Sequence, residues 1–96
     1  MNSAICEAIR TRSVLEIYYN GGPRTVEPHC HGISRAGNEV VLAYQTGGHS
    51  DSEPVAWKLF DVGLLRSLRS TGQTFTTNRP GYQPFGKHMT SVHCHV

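Results

Sequence analysis

Apolar positions along the chain change their period twice, and each change marks an element. Ile5, Ala8 and Ile9 recur at helical spacing, with Glu7 and Arg10 turned outward. Ser3 is placed to cap this segment and Glu7 to add negative charge in its first turn, so the spacing predicts a helix over about residues 3–12. So short a helix is unstable alone and must pack on something. From Val14 the period becomes two: Leu15, Ile17 and Tyr19 alternate with Glu16 and Tyr18, as in a half-buried strand. Asn20-Gly21-Gly22-Pro23 supplies turn chemistry, because Asn and Gly tolerate positive φ.

The alternation resumes from Arg24 to Ile33, with Val26, Pro28 and Cys30 on one face and Glu27, His29 and His31 on the other. Pro28 cannot donate to a ladder, which points to an edge position or a bulge. After a turn at Arg35-Ala36-Gly37-Asn38, Glu39–Gln45 reads as a central strand. Thr46–Pro54, which includes Asp51, reads as a polar, mobile loop. Val55–Phe60 alternates again, with Trp57 and Leu59 set against Lys58. Asp61–Leu68 fits either a strand or a helical turn, and Thr71-Gly72-Gln73 ends it. Asn78–Lys87, with Pro80, Gly81, Pro84 and Gly86, reads as an irregular connection. Met89–Val96 is a last strand with Val92, Cys94 and Val96 on the inner face and Ser91, His93 and His95 on the outer. One helix followed by five or six short strands implies a mainly β domain over residues 1–96, its sheet strongly bent or closed into a small barrel from about residue 14 onward.

Composition narrows the classes without naming a function. Ninety-six residues, 38% hydrophobic, with a net charge of +2, suit one small soluble domain. No apolar run approaches the roughly 20 residues of a membrane span, and the N-terminus lacks the pattern of a signal peptide, so no membrane partner and a cytoplasmic location are expected. In that setting the three cysteines, Cys6, Cys30 and Cys94, are expected to be reduced thiols, and their odd number argues against a disulfide framework. Seven of the nine cations are Arg, a bias that suits planar recognition of phosphate or carboxylate and equally suits a solvated surface.

In order along the chain, Ala8-Ile9 with Arg12, Leu15-Glu16-Ile17-Tyr18-Tyr19, Arg24-Thr25-Val26-Glu27-Pro28-His29, Leu42-Ala43-Tyr44, Trp57-Lys58-Leu59-Phe60, Leu65-Arg66-Ser67-Leu68, Phe75 and Tyr82 together resemble a WYL domain. The resemblance covers roughly residues 5–85. Its most specific stretch is the one holding Arg24, Val26-Glu27-Pro28 and His29. It implies a barrel of the SH3-like or Sm-like kind. It also implies a non-catalytic, ligand-binding role in bacterial transcription regulation, sensing a nucleotide or short single-stranded nucleic acid. The tripeptide that names the family falls on Val40-Val41-Leu42, and Asp61, Gly63 and Leu64 stand where the family tends to carry a basic residue. The chain has no room for a helix-turn-helix of its own.

Four residues make up the candidate ligand surface: Arg24, Tyr44, Trp57 and Lys58. Phosphates need cations, and unstacked bases need flat partners. The competing reading places Trp57 and Tyr44 in the core and pairs Arg24 with Glu27 or Glu39. His29-Cys30-His31 and His93-Cys94-His95 carry zinc-type donors. Alternation, however, sends each His pair to one face and its Cys to the other, so a four-His site needs the two strands to meet. No metal or cofactor is expected. No catalytic motif is present, Asp51 and Asp61 are the only aspartates, and Cys30 and Cys94 fall on apolar faces where thiols are usually inert, so no enzyme activity is expected either. The alternative to ligand sensing is a protein-interaction module that assembles with itself or with a regulator protein through open strand edges, such as the one carrying Pro28 or the C-terminal run.

Overall fold

A computed structural model describes residues 2–50, 52–82 and 89–96. Asp51, Pro84, Gly86 and Lys87, named above in the mobile loop and the irregular connection, lie outside the described residues. One helix and six strands follow in order: α1 (Asn2–Arg10), β1 (Ser13–Tyr19), β2 (Gly22–Ser34), β3 (Glu39–Gly48), β4 (Ala56–Asp61), β5 (Ser67–Thr74) and β6 (Met89–His95). A single 3₁₀ turn, Val62–Leu64, joins β4 to β5. All pairings are antiparallel, in the order β4-β3-β2-β1-β5, and β6 lies against the far half of β2. The protein is therefore mainly β with one N-terminal helix. No helix among the described residues is long and apolar enough to cross a membrane.

The helix begins one residue earlier than its expected cap, so Ser3 sits inside it and Glu7 falls in the second turn, where it pairs with Arg10. The helix ends at Arg10. Thr11 donates its backbone N–H and its hydroxyl to the Glu7 carbonyl, and Arg12 turns the chain at φ 54°. Ile5, Ala8 and Ile9 bury their stripe against Leu15, Ile17, Val26, Val41, Ala43 and Phe60, which is the packing the short helix requires. The first hairpin closes as its residues dictate. Asn20 (φ 44°) and Gly21 (φ 98°) form the two-residue connection between the paired Tyr19 and Gly22.

Register shifts in three of the ladders separate the sheet from the simple alternation. Pro28 pairs with Ala43 but Cys30 pairs with Leu42, so His29 is an extra residue in a β-bulge. The expected parity is corrected beyond that point: His31 joins Val26 on the helix-facing side, opposite Val41, while Cys30 turns to the other face and meets Met89. Of the two roles offered for Pro28, the bulge is the observed one, since β2 pairs along both its edges. Thr46–Gly48, expected in a mobile loop, instead extend β3. At Gly48 (φ 95°) a Cβ would lie 2.4 Å from the Pro23 carbonyl oxygen, so only glycine allows that close approach. Thr71–Gln73 form a further bulge, within β5, rather than ending the element.

The sheet curls strongly. Tyr19 of β1 and Phe60 of β4 are separated by two strands in ladder order, yet their rings meet at 4.9 Å. The Tyr19 hydroxyl also accepts the Asp61 backbone N–H at 3.2 Å. No ladder among the described residues joins β4 to β5, so the curled sheet is open.

Candidate functional site

The four residues singled out from the sequence lie on two faces of the sheet. Arg24 is 5% exposed and is held between the rings of Tyr19 (5.3 Å) and Phe60 (5.6 Å). Its Nε donates to the Tyr19 carbonyl at 3.3 Å and one terminal nitrogen to Gln45 Oε1 at 3.4 Å. Arg24 thus props the inner wall of the fold and pairs with neither Glu27 nor Glu39. Lys58, across from Ala43 on that same face, donates to the hydroxyls of Ser50 (3.1 Å) and Ser52 (2.9 Å). Tyr44 and Trp57 pair edge to face across β3 and β4 on the opposite side, with ring centroids 5.5 Å apart. Trp57 Nε1 donates to the Pro80 carbonyl at 2.8 Å. The structure therefore does not bring the cations and the aromatic rings into one surface.

On that opposite side the bulged His29 is the centre of a second core. It is fully buried among Trp57 (4.9 Å), Phe75 (5.0 Å) and Tyr82 (5.1 Å). Nδ1 donates to the Glu27 carbonyl at 2.8 Å and Nε2 accepts the Arg79 backbone N–H at 3.2 Å, a pattern that requires the neutral ring. Burial holds the His29 pKa below the usual histidine range, and the Arg12 and Arg79 charges add to the effect against the opposing pull of Glu27. Glu27 is itself buried and takes two hydrogen bonds from the Arg79 guanidinium, at 2.7 and 3.0 Å. That guanidinium covers the Tyr44 ring at 4.8 Å. Cys30 belongs to this core too, and burial pushes its thiol pKa up. Every buried side-chain nitrogen and oxygen described here has a hydrogen-bond partner.

Two clefts expose chemistry that the packing does not consume. The first, about 490 Å³, lies between the β1–β2 turn and the 3₁₀ turn, and is lined by Tyr18, Tyr19, Gly21, Gly63, Leu64 and Arg66. Tyr18 and Leu64 are exposed large side chains, at 42% and 60%. The Arg66 backbone N–H donates to the Tyr18 carbonyl at 2.9 Å, which fixes this arginine beside the exposed ring. Tyr19, in the wall, is the ring that Arg24 stacks on. The sequence signal was present, since Tyr18 alternates outward and Arg66 follows the Leu pair, but periodicity does not show that two distant turns meet.

The second cleft, about 520 Å³, runs between α1 and β6 and is lined by Cys6, Arg10, His93, Cys94 and His95 among others. At its base Cys6 and Cys94 form a disulfide, so the expectation of three reduced thiols is corrected, and Cys30 alone of the three remains a thiol. An odd cysteine count says nothing about whether the helix and the last strand meet, and here they do. The strands bearing the two His-Cys-His runs also meet, with His31 across from Cys94. The bulge nevertheless sends His29 and His31 to opposite faces, so the four histidines do not share a site. Instead His31, 1% exposed, points Nδ1 at both sulfurs, 3.5 Å from Cys6 Sγ and 3.7 Å from Cys94 Sγ. Its Nε2 donates to Glu39 Oε2 at 2.7 Å. Among the described residues, Cys6, His31 and Cys94 are the group of donors that could hold a metal ion, their ligand atoms all lying within 4.8 Å of one another.

No family model matches the chain, and no curated protein or solved structure matches it either.

Proposed function

We propose that the chain is a non-catalytic, WYL-like ligand-binding module of the SH3/Sm barrel type, with an anionic, base-bearing ligand seated in the cleft of Tyr18, Tyr19 and Arg66. The observation that carries this reading is the pairing of an exposed aromatic ring with a guanidinium that makes no side-chain hydrogen bond or ion pair among the described residues, at the rim of one cleft. A base stacks on the ring and a phosphate meets the cation, and neither group is committed to packing. The curl that brings Tyr19 onto Phe60 supports the barrel-type reading. Of the four residues chosen from the sequence, Arg24 contributes here as the support behind Tyr19. Tyr44, Trp57 and Lys58 are occupied elsewhere.

Fluorescence anisotropy with short single-stranded DNA and RNA, between about 50 and 200 mM salt, tests the proposal. Salt-sensitive binding that Tyr18→Ala/Arg66→Ala loses, in a variant with unchanged circular dichroism, is the expected result. Binding that this variant keeps, or no binding of oligonucleotides or mononucleotides at the lowest salt, overturns it. A self-assembly or regulator-docking role draws on one observation: β4 and β5 are the ends of an open sheet, and Leu59 and Val55 are exposed on or beside β4. A defined oligomer by light scattering that ignores nucleic acid would favour that role.

A further inference from the structure

The geometry points to a redox-gated zinc site formed by Cys6, His31 and Cys94, occupied when the two cysteines are reduced and closed when they form the disulfide. Three observations carry it. First, the donor set is two sulfurs and an imidazole, the chemistry zinc prefers, brought together from α1, β2 and β6. Second, His31 is oriented as a ligand. Its Nε2–H is taken by the Glu39 carboxylate, which leaves Nδ1 as the ring atom that faces both sulfurs, and a carboxylate behind the imidazole is the usual outer support of zinc-bound histidine. Third, the distances already fit. With zinc–sulfur bonds of about 2.3 Å and zinc–nitrogen bonds of about 2.0–2.1 Å, a tetrahedral site has sulfur–nitrogen edges of about 3.6 Å. The observed separations are 3.5 and 3.7 Å. Only the sulfur–sulfur distance has to grow, from a covalent bond to an edge of about 3.8 Å.

The fourth position faces the α1–β6 cleft, which His93 and His95 line, so the site is open on the solvent side. Two equivalents of a small thiol reduce the disulfide, giving two cysteine thiols and one small-molecule disulfide. Zinc then displaces both thiol protons. In the reverse direction hydrogen peroxide accepts two electrons from the paired thiolates and two protons from solvent, leaving the protein disulfide, two molecules of water and released zinc. This inference does not depend on the Tyr18–Arg66 cleft, which lies at another place in the fold.

The experiment uses untagged full-length chain in two states, reduced with a phosphine and oxidised. Each is titrated with zinc against a chromophoric chelator, and with cobalt to read thiolate charge-transfer absorption. One metal per reduced chain, none per oxidised chain and release on adding hydrogen peroxide is the expected result. Cys6→Ser and Cys94→Ser should each abolish the charge-transfer band of a two-thiolate site, while Cys30→Ser leaves it intact. Because substituting the buried His31 risks the fold, Glu39→Gln tests the imidazole's support, with an expected loss of about 10–100-fold in zinc affinity. Reduced wild type that takes up no zinc, equal uptake by the oxidised chain, or full binding by the Cys6→Ser/Cys94→Ser double variant overturns the inference.

Discussion

Replacing both Cys6 and Cys94 with Ala removes a cross-link between residues 88 positions apart, nearly the full length of the chain. Beyond the cross-link, β6 is tied down by its ladder with β2, the packing of Cys94 and Val96 on the core, and contact with α1. In the chain-entropy account, a loop of that length constrains the unfolded state by about 4–5 kcal/mol at 25 °C. Unfolding entropy scales at about 2.1 cal/mol/K per residue, or about 200 cal/mol/K for a domain of this size, so the loss corresponds to a fall in Tm of about 20 °C. That figure is a ceiling, because residual structure in the unfolded chain commonly reduces the effect to about 2–4 kcal/mol. Thermal and urea unfolding in chelator-treated buffer measure it. The urea slope should also rise, since a chain without the cross-link exposes more surface when unfolded. Phosphine-reduced wild type should behave like the double variant. A variant within about 5 °C of oxidised wild type, with an unchanged slope, would show that these two cysteines are not joined in the folded protein.

At Gly32 an added Cβ would sit 2.0 Å from the Ser91 carbonyl oxygen and 2.9 Å from Met89 Sδ, so Gly32→Ala has to push β6 away from β2. A loss of about 1–3 kcal/mol in urea unfolding is expected, and an equally stable variant would refute this close approach. His29 supplies a pH dependence whose sign follows from its lowered pKa. The unfolded chain takes up the proton near pH 6.5 while the folded chain resists it, so the contribution is present above that pH and is lost as the pH falls below it. Urea unfolding at pH 7, 6 and 5 should show a steeper decline for wild type than for His29→Gln; parallel declines would contradict the buried, neutral ring.

What the alternation made legible was local. Leu15, Ile17 and Tyr19 face inward as their period requires, and Asn20-Gly21 turns where its φ tolerance allows. Cys94 and Val96 pack on the core while His93 and His95 are exposed, with the His93 ring 5.2 Å from that of His31. These elements obey one rule over a short span, and nothing distant overrides it. Arg24 shows the opposite case. A charged residue with an extended neighbourhood reads as a surface cation, yet the curl of the sheet carries it beneath Tyr19 and Phe60, where two carbonyl-type acceptors and two ring faces take the place of water. Curl is a property of the whole sheet, and no window of ten residues contains it. The cleft between Tyr18 and Arg66 escaped detection for the same reason.

The bulge at His29 connects the remaining differences. A strand that kept strict alternation past Pro28 would place His29 and His31 on one face and Cys30 on the other. A single extra residue reverses everything after it, and both cores depend on that reversal. His29 stays with Glu27 on the aromatic side, where Trp57, Phe75 and Tyr82 enclose it. His31 crosses to the helix side, where Cys6 and Cys94 converge on its Nδ1. Proline supplies the local cause, because Pro28 has no N–H to keep the ladder in step. The sequence marks the place of the break, at Pro28, but not which neighbour is displaced; that choice is settled by burial. The bulged register places His29 among three rings and His31 between Glu39 and two sulfurs, whereas the unbulged register would set both imidazoles on one face and turn Cys30 toward the helix.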